Sequence, residues 1–294
     1  VERFAGALLR LGVGPGDVVA VQLPNFWQVG ALTLVGARIG AITAPILPTI
    51  RERELARVLR RIEAVVCITV DEWDGFRHAA APSELMPELP SLRHRVVLGE
   101  AGDGAIDFAE YFAECPGSGC RPTSSAAWTR TPTGSAFSVH VGHLGGAQGG
   151  SAQLQYAPCR DSADRRCRGA RSRWTSSSRR TRQPTSPVLS SITVPLLSGA
   201  TSVVIDRWSG KAGRTLLRET AATMIFAAPV LIEDRATAGT MPADTPALRL
   251  VLSGATVVPP QLVRRGPDIG GLVLRVDLVM HVTDRAYGLA ESVR

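Results

Sequence analysis

LGVGPGDVVAVQLPN, Leu11–Asn25, decides the architecture. Val18–Leu23 (VVAVQL) is a short apolar run rich in β-branched residues, which predicts a strand buried on both faces. Asn25 stands where it can cap a helix from Phe26 to Ile39, and Gly40 closes that helix. Upstream, VERFAGALLRLG reads as the second half of an amphipathic helix, with Phe4, Leu8 and Leu11 on one face and Gly12 just past its end. The chain is therefore expected to begin inside a domain.

Outward from that stretch, short apolar runs alternate with helical patterns. Ala41–Pro45 is extended, Glu52–Arg61 helical, Val65–Val70 (VVCITV) a strand and Arg95–Leu98 another. Further on come Ser202–Asp206 (SVVID), a helix near Gly213–Thr220, then Thr223–Phe226, Leu248–Leu252 and Leu272–Val276 as strands. Strands alternating with helices predict an α/β fold with a mainly parallel sheet. The 294 residues can bury one large core or two modest ones, and no internal repeat is evident. No apolar run approaches the ~18 residues of a membrane span. The five cysteines are few, odd in number and lack C-x-x-C spacing, which fits a reducing, cytoplasmic setting better than a disulfide framework.

Charge is unevenly spread. Between Pro116 and Ser191 lie eleven arginines, no lysine, no isoleucine and two acids, Asp161 and Asp164. That span carries +9 against +7 for the whole chain, so the remainder is slightly acidic at −2. The basic balance belongs to one segment. Three cysteines (Cys120, Cys159, Cys167) also fall inside it, while its flanks are ordinary Val/Ala/Leu-rich sequence. Being polar and poor in large aliphatics, 116–191 is expected to be disordered and to lack a packed core of its own. The organisation expected is 1–115 and 192–294 as two parts of one domain type, interrupted by 116–191.

Five stretches in order, LGVGPGDVVAVQLPN (Leu11–Asn25), ARIGAITAPILPTIRERELARVL (Ala37–Leu59), VPLLSGATSVVIDRW (Val194–Trp208), LRLVLSGATVVP (Leu248–Pro259) and YGLAES (Tyr287–Ser292), resemble the large N-terminal domain of the adenylate-forming (AMP-binding) acyl-CoA ligases. The resemblance covers about three quarters of the chain. The wording after Pro48 is most similar to ligases of short or medium acyl and cyclohexanecarboxylate-like acids. It implies a layered parallel-sheet domain, present in part, since the chain stops at Arg294 before the family's small C-terminal domain and its lysine.

The implied reaction joins a small carboxylic acid to CoA through an acyl-adenylate, with ATP, Mg2+ and CoA as cofactors. The same resemblance gives Ser253, Gly254 and Ala255 the turn against adenine. Tyr287 and Gly288 fit the start of its Tyr-Gly-x-Thr-Glu motif, and Glu291 fits the carboxylate associated with Mg2+, a hard oxygen ligand suited to that ion. Ala290 stands where the family usually has Thr, and VDLVMHVTDR lengthens the spacing from Leu272 to Tyr287.

Phosphate chemistry needs backbone N–H groups and a cation aimed at the developing charge. The family supplies them from a Ser/Thr/Gly-rich loop with one Lys. Here Val139–Gly149 (VHVGHLGGAQG) occupies its place, with neither Lys nor hydroxyl. Read one nucleotide out of phase, the same stretch is decodable as F-T-S-G-T-S-G-E-P-K-G, which resembles that loop. Under this shift the genetic code limits Gln148 to Lys or Arg and His140 to Thr or Met. A frame slip across 116–191 accounts for the composition and the lost loop together, and as written the chain is expected to be inactive. Lys211, the single lysine, lies in a WSGKAG turn and matches neither lysine of the family.

Two other readings compete. Taken literally, residues 160–182 form an Arg/Ser-rich stretch that could bind nucleic-acid phosphates or other anions without any enzymatic activity. Its flanks carry no RNA-binding motif, so no nucleic-acid partner is expected. His140 and His143 with Cys159 and Cys167 match no structural zinc spacing, and no Ser/His/Asp arrangement stands out.

Overall fold

The computed structural model describes residues 1–115, 136–139, 151–154, 173–177, 195, 199–237, 244–254, 258–265 and 272–276. They fall into two compact units, Val1–Arg160 with Arg182–Thr185, and Asp161–Thr181 with Ser186–Arg294. The first runs α1 (Glu2–Arg10), β1 (Val18–Gln22), α2 (Trp27–Ile39), β2 (Ile42–Pro45), α3 (Glu52–Arg61), β3 (Val66–Val70), a hairpin of β4 (Glu72–Trp73) and β5 (Phe76–Arg77), α4 (Ala80–Leu85), β6 (His94–Leu98), β7 (Ile106–Asp107), α5 (Phe108–Ala113), β8 (Ala136–Val139) and β9 (Ser151–Leu154). Its seven-stranded sheet has the order β7-β6-β3-β1-β2-β8-β9, parallel except where β9 pairs antiparallel with β8. The second runs β10 (Arg173–Ser177), β11 (Thr201–Ile205), α6 (Gly210–Glu219), β12 (Met224–Ala227), α7 (Pro229–Thr237), β13 (Leu250–Gly254), α8 (Pro260–Arg264) and β14 (Leu272–Val276). These five strands are parallel throughout, in the order β11-β10-β12-β13-β14.

The chain is thus α/β with parallel sheets. β1 lies between β2 and β3, with Ala20 opposite Ala44 on one side and Cys67 on the other. Every residue of β3 is buried, as a strand covered on both faces requires. One cover is α3, whose Leu55, Val58, Leu59 and Ile62 repeat at helical spacing and pack with Ile46, Cys67, Leu89 and Leu92. α2 ends at Gly40 in the left-handed region, φ 75°, its N–H donating to the Gly36 carbonyl. In the second unit Trp208, Leu217, Ile225, Leu231 and Val251 form the centre of the core.

Most expected elements fall within a residue or two of their positions, and three local readings change. The boundary residue of α2 is Phe26, not Asn25, and its own side chain makes no capping hydrogen bond. Phe26 is held extended instead, its N–H donating to the Pro24 carbonyl at 2.6 Å. WSGKAG is not a turn but the entry to α6, where Ser209 Oγ accepts the Ala212 N–H at 3.1 Å. α6 therefore starts at Gly210, with Lys211 exposed in its first turn. The β4–β5 hairpin was unexpected, although Asp74-Gly75, both at positive φ (55° and 73°), is a recognised signal for a two-residue turn.

Of the span 116–191, the strands β8, β9 and β10 have described backbones, and they enter both sheets, which composition did not suggest. The expectation of disorder elsewhere in that span lies outside the described residues, as do most of the Val139–Gly149 loop and its shifted reading, His140, His143, Cys159 and Cys167.

Gly213 faces Trp208 so closely that a Cβ would collide with the indole ring. Elsewhere in a helix, Gly→Ala is favourable by about 1 kcal/mol; here overpacking costs about 1–3 kcal/mol and reverses the sign. Gly213→Ala should lower the unfolding free energy read by urea titration by a net of up to about 2 kcal/mol, while Gly102→Ala, with open space around its Cβ position, stays within about 0.5 kcal/mol of the parent.

Candidate functional site

In the five-stranded sheet β11 hangs on one side of β10, whereas β12, β13 and β14 continue from the other. The order reverses between β10 and β12. At such a point the two crossovers leave in opposite directions, and the carboxyl ends of the strands border the crevice where open parallel sheets take ligands. Ser176 of β10 is level with Phe226 of β12, Ala227 with Ser253 of β13, and Ser253 with Arg275 of β14. This ladder places the Ser253 backbone on the carboxyl edge, one strand from the reversal.

Ser253 is fully buried at 0% exposure, and its Oγ finds no hydrogen-bond partner among the described residues. Leaving a buried hydroxyl unpaired costs about 1–3 kcal/mol. Such an atom marks either strain or a place for a partner. Around it the edge is built from small groups. β12 ends at Ala227, both Ala227 and Ala228 are buried, and Pro229 opens α7, where a missing N–H is harmless. Gly254 ends β13.

The sequence suggests a turn at Ser253 and Gly254 after a strand ending at Leu252, whereas both are the last residues of β13; Ala227, Ala228 and Pro229 were not singled out. The signal available was TMIFAAP, a strand running into small residues and then Pro at a helix start. Ala255, Tyr287, Gly288 and Glu291 lie outside the described residues. Among the described residues no group of three or more His, Cys, Asp or Glu gathers where it could hold a metal ion, and no helix is long and apolar enough to cross a membrane.

Two titratable groups elsewhere are shifted. Cys67, buried in β3, has its thiol pushed up to about 12 by burial, with the Arg95 charge opposing; it is a packing group, not a nucleophile. His78 is held below the ordinary histidine value, first by burial and then by the Arg51 charge.

Comparison with known proteins agrees with this architecture. The AMP-binding enzyme family matches residues 1–118. The 2-hydroxy-7-methoxy-5-methyl-1-naphthoate–CoA ligase of Streptomyces carzinostaticus is 37% identical over 102 residues, 34% of this chain and 18% of that enzyme. The medium-chain fatty-acid–CoA ligase of Escherichia coli strain K12 is 26% identical over an alignment covering 98% of this chain and 49% of the enzyme. Among solved structures, the apo structure of Mycobacterium smegmatis MbtA superposes with a TM-score of 0.76 at 23% identity, over 99% of this chain and 50% of that one. Aligned along its whole length, the chain thus spans about half of such relatives. With the motif order, the family match and the parallel-sheet fold in agreement, the chain belongs to the AMP-binding, acyl-CoA ligase superfamily and corresponds to part of its N-terminal domain.

Proposed function

We propose that this chain is part of an ATP-dependent carboxylate–CoA ligase. In the first step a carboxylate oxygen attacks the α-phosphorus of ATP, the bond to the bridging oxygen breaks, and pyrophosphate leaves. In the second, CoA thiolate attacks the acyl carbonyl carbon and AMP departs on its oxygen. The observation that carries this reading is the buried Ser253 hydroxyl at the end of β13, without a partner among the described residues, in the LSGA stretch that the family resemblance assigns to adenine.

The residues present fit one half of the nucleotide. Ala227 and Ala228 put no large side chain on this edge, and on the proposed reading Ser253 Oγ would offer a flat neutral ring a donor or acceptor. Tyr287 and Gly288 would complete that wall, Ala255 would continue the turn, and Glu291 would hold Mg2+, which when bound offsets phosphate charge. The triphosphate half does not fit. No lysine lies between Val139 and Gly149, and Lys211 is spent on an exposed helix turn.

The chemistry therefore requires the shifted reading, F-T-S-G-T-S-G-E-P-K-G, whose Lys and hydroxyls would meet the phosphates. The substrate we infer is a medium-length aliphatic or alicyclic acid, because the relative that aligns along nearly the whole chain acts on medium-chain fatty acids. The buried cysteines among the described residues, Cys67 and Cys115, are in no disulfide, which supports a cytoplasmic setting.

Two outcomes follow. The 294-residue chain should form no measurable acyl-adenylate in pyrophosphate exchange with C4–C12, alicyclic and aryl acids. The same gene, with its frame corrected across codons 116–191 and the rest of the enzyme restored, should be faster by at least the roughly 100- to 1000-fold that one lost transition-state donor costs. A corrected, folded enzyme that activates no acid sinks the ligase reading, and robust turnover by the uncorrected chain sinks the frame argument. In the corrected enzyme Ser253→Ala should raise KM for ATP severalfold. In the chain without ligand it should leave stability unchanged or raise it by about 1 kcal/mol, because the hydroxyl is unpaired there; urea titration with and without ATP reads both.

A further inference from the structure

We propose that the β4–β5 hairpin is an acid-released latch, held down while His78 is neutral and let go when that imidazole takes up a proton. The hairpin has two residue pairs only, Glu72 with Arg77 and Trp73 with Phe76. A ribbon of that size does not hold itself in water, so its position depends on what its side chains pack against. Those contacts converge on one group. His78 is fully buried at 0% exposure, edge-on to Phe76 with ring centroids 4.8 Å apart and an interplanar angle of 81°, and 6.4 Å from the Trp73 ring. The Arg51 guanidinium, from the residue preceding α3, lies 3.9 Å from the Phe76 centroid and donates to the Pro48 carbonyl at 3.3 Å.

A neutral imidazole completes this stack. A protonated one adds a second, buried cation to a cluster that already holds Arg51. Burial and then the Arg51 charge both disfavour the proton, and the Glu52 charge opposes them more weakly. Neither His78 ring nitrogen has a hydrogen-bond partner among the described residues. The other charged groups nearby in sequence are Asp71, Glu72, Asp74 and Arg77 on the hairpin and Glu84 on α4. Glu72, Asp74 and Arg77 are exposed, and Asp71 is already engaged, accepting the Glu72 and Glu100 N–H groups.

The sign follows from linkage. The folded ring binds its proton less readily than the released one, so the latch is fully held above the ordinary histidine value of about 6.5 and weakens as pH falls below it. Asp71 supplies the hinge: its side chain ties the start of the hairpin to Glu100, and its carbonyl accepts the Ala79 N–H at 3.3 Å. Opening is thereby confined to 72–78.

Hydrogen exchange with mass spectrometry on the full 294-residue chain, corrected for intrinsic exchange rates, tests this between pH 7.5 and 5.0. Amides of 72–78 should lose up to about tenfold in protection per pH unit below 6.5, while β1 and β3 keep theirs. His78→Phe, which retains a ring, and His78→Gln, which is smaller and also neutral, should each give a flat profile. Protection of 72–78 that persists to pH 5.0 overturns the proposal. So does equal loss in either variant, or loss that occurs together with β1 and β3.

Discussion

Parallel pairing on both sides of Val18–Gln22 is the constraint from which the first unit follows. A parallel ladder cannot be closed by a tight turn, so every neighbour of β1 must be reached through a crossover. α2 supplies one to β2, and α3 supplies the return that passes β1 to reach β3. Because those helices cover the sheet, β1, β2 and β3 are buried nearly throughout rather than on alternate residues. The close approach of helix to strand then selects small residues, as where Gly36 of α2 leaves no room for a Cβ beside Thr43. The same logic governs the second unit, where Gly213 lies under Trp208.

These repeated demands are why so much of the fold was legible in the sequence. VVCITV can only be a covered strand, and Glu52–Arg61 shows both helical periodicity and charge bias, with Glu52 and Glu54 in its first turn and Arg60 and Arg61 in its last. What escaped were elements set by a few local hydrogen bonds. α5 is started by Asp107, whose Oδ1 accepts the Glu110 N–H at 2.7 Å, and six residues carry too little periodicity to announce a helix. Asn25 is a good capping residue by type, but the boundary of α2 falls one residue later, at Phe26, whose N–H donates to the Pro24 carbonyl. For the proposed site, Ser253 and Gly254 could be picked out from the sequence, whereas Ala227 and Ala228, small side chains buried in the core, have no chemistry to advertise.

Two sheets give two points at which strand order reverses, and each carries a buried polar side chain. In the seven-stranded sheet the reversal falls between β1 and β3, where Gln22 is level with Thr69. There Gln22 Nε2 is turned into structure, donating to the carbonyls of Leu47 and Ile50 at 3.3 and 2.8 Å, while its Oε1 has no partner among the described residues. The chain leaving β3 folds back at once into the hairpin. In the five-stranded sheet the strand next to the reversal ends in the Ser253 hydroxyl, which likewise has no partner among the described residues. The difference is one of anchoring: the Gln22 amide is held at one end by two carbonyls, and the Ser253 hydroxyl by none.

The electrostatics of the whole chain then bear on the phosphates rather than on the fold. Outside 116–191 the net charge is slightly negative, and the basic surplus comes from eleven arginines within a single span. A triphosphate needs its cation at one fixed place, since a donor stabilises a transition state only where the charge develops. Diffuse arginines can raise the local concentration of any anion without supplying that donor. Arginine in quantity therefore does not substitute for one lysine in a glycine-rich loop. On the proposed reading it is the lysine absent from Val139–Gly149, rather than the net charge, on which the phosphate chemistry turns.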